Sequence, residues 1–218
     1  MQGLSRRTTI AGQDKEETLC LGLIDEWREW KRVADPRFDL LRRLLAALGP
    51  DDQPLQPGPL KRPTLDDVRE IPTIRMPYGQ DVPLTYAPAG VQRMSKLAYL
   101  LTWALSEHET ESSRVGRPPT QQVIVLVDEP ETHPHPRWQR TVVPSLLKAV
   151  ESWRASNPPR VQFLIATHAP LIFASLEPLF APARDALWKL DLVDGVVQIE
   201  RDAWHERGDA NMLFLCAP

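Results

Sequence analysis

The feature that most narrows the fold is the run Val123-Ile124-Val125-Leu126-Val127, which stops abruptly at Asp128-Glu129. An aliphatic run with no polar alternation predicts a strand covered on both faces, as in a central parallel strand. A second run, Val161-Gln162-Phe163-Leu164-Ile165-Ala166-Thr167, has the same character. Between the two, Val142, Val143, Leu146, Leu147 and Val150 recur at helical spacing over 137–153. Pro144 must kink that helix or fall in its first turns. Strand, helix, strand predicts a right-handed crossover and a parallel α/β sheet. Near the end, 187–193 and 196–199 flank Asp194-Gly195, a dipeptide suited to a tight hairpin turn.

The upstream half reads as helical. Leu19, Leu23, Trp27 and Trp30 predict a helix over 17–33. Asp35-Pro36 then supplies an N-cap and a proline at the first helical position. Phe38, Leu41, Leu44, Leu45 and Leu48 form the next apolar stripe, closed by Gly49-Pro50, so the two helices make an antiparallel hairpin. The chain has 22 prolines in 218 residues, about twice the usual share of roughly 5%. Five of them fall in 49–63, which predicts a stiff loop that is neither strand nor helix. A short helix is expected near 65–70 and a long one over 90–107, with Met94, Leu97, Ala98, Leu101 and Leu105 on one face. Residues 109–121 read as a loop.

Charge and length exclude several classes. With 26 Lys+Arg against 29 Asp+Glu, the net charge of -3 fits neither a wholly basic nucleic-acid coat nor an acidic tail. No apolar run approaches the roughly 18 residues of a membrane span, so no membrane partner is expected. The polar N-terminus has no signal core. Cys20 and Cys216 cannot make a disulfide framework, and a reducing cytoplasm fits them.

Ligands of open α/β sheets sit at the carboxyl ends of strands. Two adjacent carboxylates there are costly without a cation or a task. Asp128 can hold Mg²⁺, directly or through water, while Glu129 faces a water that attacks a phosphate. A strand ending in solvated charges would give the same pattern. The second strand also ends in a polar pair, Thr167-His168. If the strands are neighbours, His168 lies beside Glu129 and can hydrogen-bond a γ-phosphate or the attacking water. A third feature is the turn Ala87-Pro88-Ala89-Gly90 with Gln92 and Arg93, which opens the long helix. Free N–H groups and the positive dipole end make such a turn an anion site.

Taken in order, the glycine turn, the strand with DEPE, the HPHP segment and the strand with THAP resemble ABC-type ATPases. They are most similar to the SMC/RecF/OLD-like group of bacterial AAA-type ATPases. The resemblance covers about 84–200. It implies a P-loop NTPase-like parallel sheet flanked by helices, with a helical lobe and a C-terminal β-hairpin. It implies ATP and Mg²⁺ as cofactors, and hydrolysis between two subunits. By position, Asp128 would be the Mg²⁺-associated aspartate, Glu129 the catalytic base and His168 the switch histidine. His133, Pro134, His135 and Pro136 would form the D-loop region at the dimer seam. Ala87, Pro88, Ala89, Gly90, Gln92 and Arg93 would be the signature segment meeting nucleotide on the opposite subunit.

Two departures matter. Pro88 stands where the family signature usually offers serine, and proline has neither hydroxyl nor N–H. None of the ten glycines is followed by lysine, so the P-loop spacing G-x-x-x-x-G-K-S/T is missing. The chain is therefore expected to be a C-terminal half that starts after that loop. Its expected parts are a flexible terminus over 1–16, a helical signature lobe over 17–110 and the second half of the ATPase core over 111–218. Such a chain would be inactive alone. It would work as a homodimer or with a P-loop-bearing segment, in DNA-related or phage-defence processes, where a nuclease partner or DNA fits the group.

Two other readings stay open. The chain could be a non-catalytic ATPase remnant that binds DNA or protein, with Arg69, Arg75, Arg93, Arg114 and Arg117 as phosphate contacts. Alternatively, Asp128, His133, His135 and His168 could form a divalent-metal hydrolase site, since His and carboxylate suit Zn²⁺ or Mn²⁺.

Overall fold

The computed structural model describes residues 4–10, 13–50, 52–62, 69–118, 120–131, 136–152 and 160–204. Strands β1 (Leu4–Ile10) and β2 (Gln13–Cys20) pair as an antiparallel hairpin. This differs from the flexible terminus and the helix start at residue 17 that the sequence predicts. Gly22, at φ 98°, stands in a conformation that separates β2 from α1 (Leu23–Arg32). Helix α2 (Pro36–Leu48) follows after a tight reversal. Ala34 takes a left-handed φ of 54°, and the Asp35 N–H reaches back to the Trp30 carbonyl at 2.9 Å. The Asp35 carboxylate accepts from the Arg37 N–H at 2.9 Å, and Pro36 fills the first helical position. Gly49 ends α2 in an extended conformation, not the left-handed one typical of a C-terminal glycine. It is needed for space, because a Cβ there would lie 2.5 Å from the Leu55 nitrogen.

The proline-rich segment is not wholly loop. Strand β3 (Gln56–Pro57) pairs with β4 (Thr73–Arg75), which pairs with β5 (Asp81–Pro83), all antiparallel. Pro57 is tolerated because β3 is an edge strand. A 3-10 turn, Leu84–Tyr86, leads into the long helix α3 (Ala89–Arg114), which runs seven residues past the predicted end at 107. Its buried face is Val91, Met94, Ser95, Ala98, Tyr99 and Thr102. Leu97 and Leu101 flank that face half-buried. The short helix expected near 65–70 falls mostly outside the described residues.

Strand β6 (Gln122–Asp128) and strand β7 (Arg160–Ala166) pair in parallel, from Gln122 opposite Arg160 to Asp128 opposite Ala166. The predicted helix between them is broken into α4 (Pro136–Gln139) and α5 (Val142–Ser152), and Pro144 falls in the first turn of α5. Helix α6 (Pro170–Leu176) follows β7. Strands β8 (Leu187–Val193) and β9 (Val196–Asp202) form the predicted hairpin. Asp194 and Gly195 both take positive φ, 51° and 77°, as a type I′ turn requires.

The expectation of two covered faces is corrected for β6 and β7. Exposure alternates along both strands: Val127, Phe163 and Ile165 pack on the core, whereas Ile124 (56% exposed), Leu126 (76%) and Leu164 (48%) do not. One hydrophobic core joins α1, α2, α3, α5 and α6 through residues such as Trp27, Leu41, Leu45, Met94, Leu146 and Ile172. The Trp30 and Tyr99 rings stack at 5.7 Å, and the Tyr99 hydroxyl donates to Glu26 at 2.6 Å. The helical region and the parallel strand pair are therefore not independent cores.

Arg37 bonds hold the Asp35 carboxyl below the usual carboxylate range, against a smaller opposing effect of burial. The stabilisation is present above the unfolded pKa of about 3.9 and is lost as pH falls through the lower folded value. Asp35→Ala should cost about 1 kcal/mol in urea denaturation at neutral pH. The cost should shrink in acid.

Candidate active site

The parallel register sets the site. Asp128 is the last residue of β6 and lies opposite Ala166, so both strand-end loops emerge side by side. The Glu129 N–H continues the ladder to the Ala166 carbonyl at 2.9 Å. Glu129 then adopts φ 44°, a left-handed conformation unusual for a residue with a long side chain. Such a conformation costs on the order of 1 kcal/mol and persists only where the surroundings enforce it. One enforcing contact comes from α3, because Arg93 Nη2 donates to the Glu129 carbonyl at 2.8 Å.

The sequence placed His168 beside Glu129, and the two are neighbours. His168 Nδ1 lies 3.9 Å from Glu129 Oε1, and both side chains are exposed. A carboxylate that the sequence reading did not single out is closer. Glu131 Oε1 lies 3.2 Å from His168 Nδ1, and the Glu131 side chain is only 7% exposed. Glu131 also accepts from the Thr167 hydroxyl at 2.7 Å and from the His168 N–H at 3.1 Å. Thr167 Oγ1 in turn accepts from the Ala169 N–H at 3.1 Å. Burial works against the Glu131 charge, but the Thr167 hydroxyl, backbone N–H groups and His168 outweigh it and hold the carboxyl below the usual range. The available signal was its place in DEPE, two residues beyond Glu129 on a segment stiffened by Pro130.

Asp128 is exposed at the strand end and makes no ion pair among the described residues. A hard oxygen donor in that position suits Mg²⁺, so the chemistry of the group fits. Of the signature segment, Ala87 is buried, Pro88 and Ala89 are exposed, and Pro88 serves as the N-cap of α3 without a side-chain hydrogen bond. Gln92 folds back and donates to the Ala87 carbonyl at 2.8 Å and the Thr85 carbonyl at 3.2 Å, so it braces the turn. Gly90 lies in the first turn, where N–H groups have no intrahelical acceptor.

His133 and His135 lie outside the described residues. Among the described residues no group of three His, Cys, Asp or Glu could hold a metal ion. Two of the arginines considered as phosphate contacts make ion pairs within the chain: Arg75 with Asp81 and Arg114 with Glu111. No described helix is long and apolar enough to cross a membrane.

Residues 9–174 match the family described as "AAA domain, putative AbiEii toxin, Type IV TA system". The chain belongs to this family. It is 38% identical over 53 residues to "Retron Vc95 probable ATPase" of Vibrio cholerae serotype O1 biovar El Tor. It is 33% identical over 54 residues to "Retron Ec83 probable ATPase" of Escherichia coli. These stretches are 24% and 25% of this chain, and only 9% and 8% of the relatives' own lengths. Among solved structures, an SMC ATPase described by its ATP-driven dimerization and DNA stimulated activation superposes with a TM-score of 0.50 at 12% identity. That match covers 81% of this chain and 89% of the other, and it shows a P-loop NTPase fold. The chain is thus a member of this AAA domain family, with a fold like that of the SMC ATPase.

Glu129→Gly should relieve the left-handed strain, worth about 1–2 kcal/mol, at an entropic cost of about 0.5–1 kcal/mol. Urea denaturation should show a net gain of about 0.5 kcal/mol. A loss above about 1 kcal/mol would mean the Glu129 side chain is needed for folding.

Proposed function

We propose that this chain carries the hydrolytic residues of an ATP-hydrolysing site, with the phosphate-holding P-loop supplied by another segment or partner. The observation that supports this most is the side-by-side placement of Asp128-Glu129 and Thr167-His168 at one end of a parallel strand pair. Bound Mg²⁺ would neutralise phosphate charge, and Asp128 is the residue to hold it. The Glu129 carboxylate accepts a proton from a water as that water attacks. His168, exposed beside it, reaches the same water or a phosphate oxygen. Arg93 holds the Glu129 carbonyl and so braces the backbone that carries the carboxylate. Gly90 and Ala89 offer N–H groups to a phosphate across a dimer seam, where Pro88 offers none. His133 and His135 belong to that seam in the same proposal.

The proposal extends to a DNA-related or phage-defence setting, with a homodimer and a nuclease or DNA as partners; the likeness to two retron probable ATPases supports its ATPase part. A non-catalytic binding role is the second reading, and Pro88 is the observation that favours it.

The test uses this chain combined with a P-loop-bearing segment. Glu129→Gln should leave Mg·ATP binding within about threefold and lower turnover at least about a hundredfold, as expected for loss of general-base catalysis. His168→Ala should slow turnover with a smaller effect on binding. Unchanged turnover in Glu129→Gln would overturn the base assignment, and strong Mg·ATP binding by the isolated chain would overturn the need for a supplied loop.

A further inference from the structure

We infer that Glu131 is a positioning residue that sets the tautomer and direction of His168. The inference rests on the ATPase reading for its consequence, but not for its geometry. The imidazole Nδ1 has two carboxylates within reach, and Glu131 Oε1 at 3.2 Å is much closer than Glu129 Oε1 at 3.9 Å. The shorter distance sets a buried carboxylate oxygen against Nδ1. A carboxylate oxygen that close repels a ring lone pair, so a neutral imidazole places its proton on Nδ1 and turns its lone pair outward on Nε2.

Glu131 is well suited to impose this. Its side chain is 7% exposed, whereas that of His168 is 77% exposed. The Thr167 hydroxyl and the His168 N–H hold the carboxylate itself, so its direction is set by the β7 loop. The Ala169 N–H on Thr167 Oγ1 completes a chain that ties the strand-end loop to the start of α6. An exposed ring therefore faces a buried carboxylate that its own hydrogen bonds hold in place. The same logic governs a base oriented by a third group, where the orienter never touches substrate. The Glu129 carboxylate lies farther from the ring and is exposed.

The direct test is the tautomer of His168 in the wild-type chain without nucleotide. Long-range ¹H–¹⁵N correlation, recorded at a pH high enough that the ring signals no longer change with pH, reads it on the neutral ring. The expected result is a dominant Nδ1–H form, the opposite of free histidine in water. A dominant Nε2–H form overturns the inference. Glu131→Ala should revert the ring to Nε2–H, while Glu131→Gln, which keeps an acceptor oxygen, should retain Nδ1–H. Glu129→Gln should also retain it, and reversion there but not in Glu131→Ala would assign the anchor to Glu129 instead. If Glu131→Ala does not fold, the wild-type and Glu131→Gln spectra still decide. In the P-loop-supplemented enzyme, Glu131→Ala should lower kcat by about tenfold to a hundredfold with KM changed less than about threefold. A fall confined to KM would contradict a positioning role. Because the tautomer is read without ATP, a chain that hydrolyses nothing would defeat the proposed function and leave this inference standing.

Discussion

The in-register parallel pairing of β6 and β7 is the constraint on which the rest depends. Register places Asp128 opposite Ala166, 38 residues on in the sequence, so the two loops leave the sheet together. Because side chains alternate with a period of two, a slip of one residue would turn Val127, Phe163 and Ile165 away from the core. The hydrophobic pattern of the inner face thus fixes the position of the carboxylates. Glu131 reinforces the arrangement from the polar side, since its bonds to Thr167 and His168 span the two loops.

The helical region contributes more than bulk. Helix α3 begins at the turn that bears Gly90 and, within its first two turns, sends Arg93 to the Glu129 carbonyl. Further along, α3 packs Met94, Ala98 and Tyr99 into the core shared with α2 and α5. A shift of α3 would therefore be felt at the strand end directly through Arg93, as well as through packing. The open face of the strand pair, with Ile124, Leu126 and Leu164, is the clearest departure from an interior sheet.

Much of this was legible in the residues. The two aliphatic runs with a helical spacing between them were enough for parallel strands, and Asp35-Pro36 and Asp194-Gly195 marked their turns correctly. The family resemblance rested on DEPE and THAP, which the register does bring together. What failed has physical reasons. A run without alternation signals hydrophobic side chains on both faces, not what covers them, so the exposure of Leu126 was invisible. The polar segment before residue 20 lacks an apolar pattern, and β1 and β2 pair through backbone hydrogen bonds that any sequence offers. Glu131 was passed over because a third carboxylate looks like surface until its burial is known.

The most direct test of the account is where the metal–nucleotide sits. Mn²⁺·ATP added to the chain with a P-loop-bearing segment should broaden the ring signals of His168 and the methyl of Thr167. His108, whose ring accepts from the Thr120 N–H near the opposite end of β6, is the internal control. The seven residues of β6 put its ends about 20 Å apart. The account predicts strong broadening at His168 and a sharp His108 signal. Equal effects at both histidines, or no effect at His168 under saturation, would contradict an ATP site at the ends of these strands.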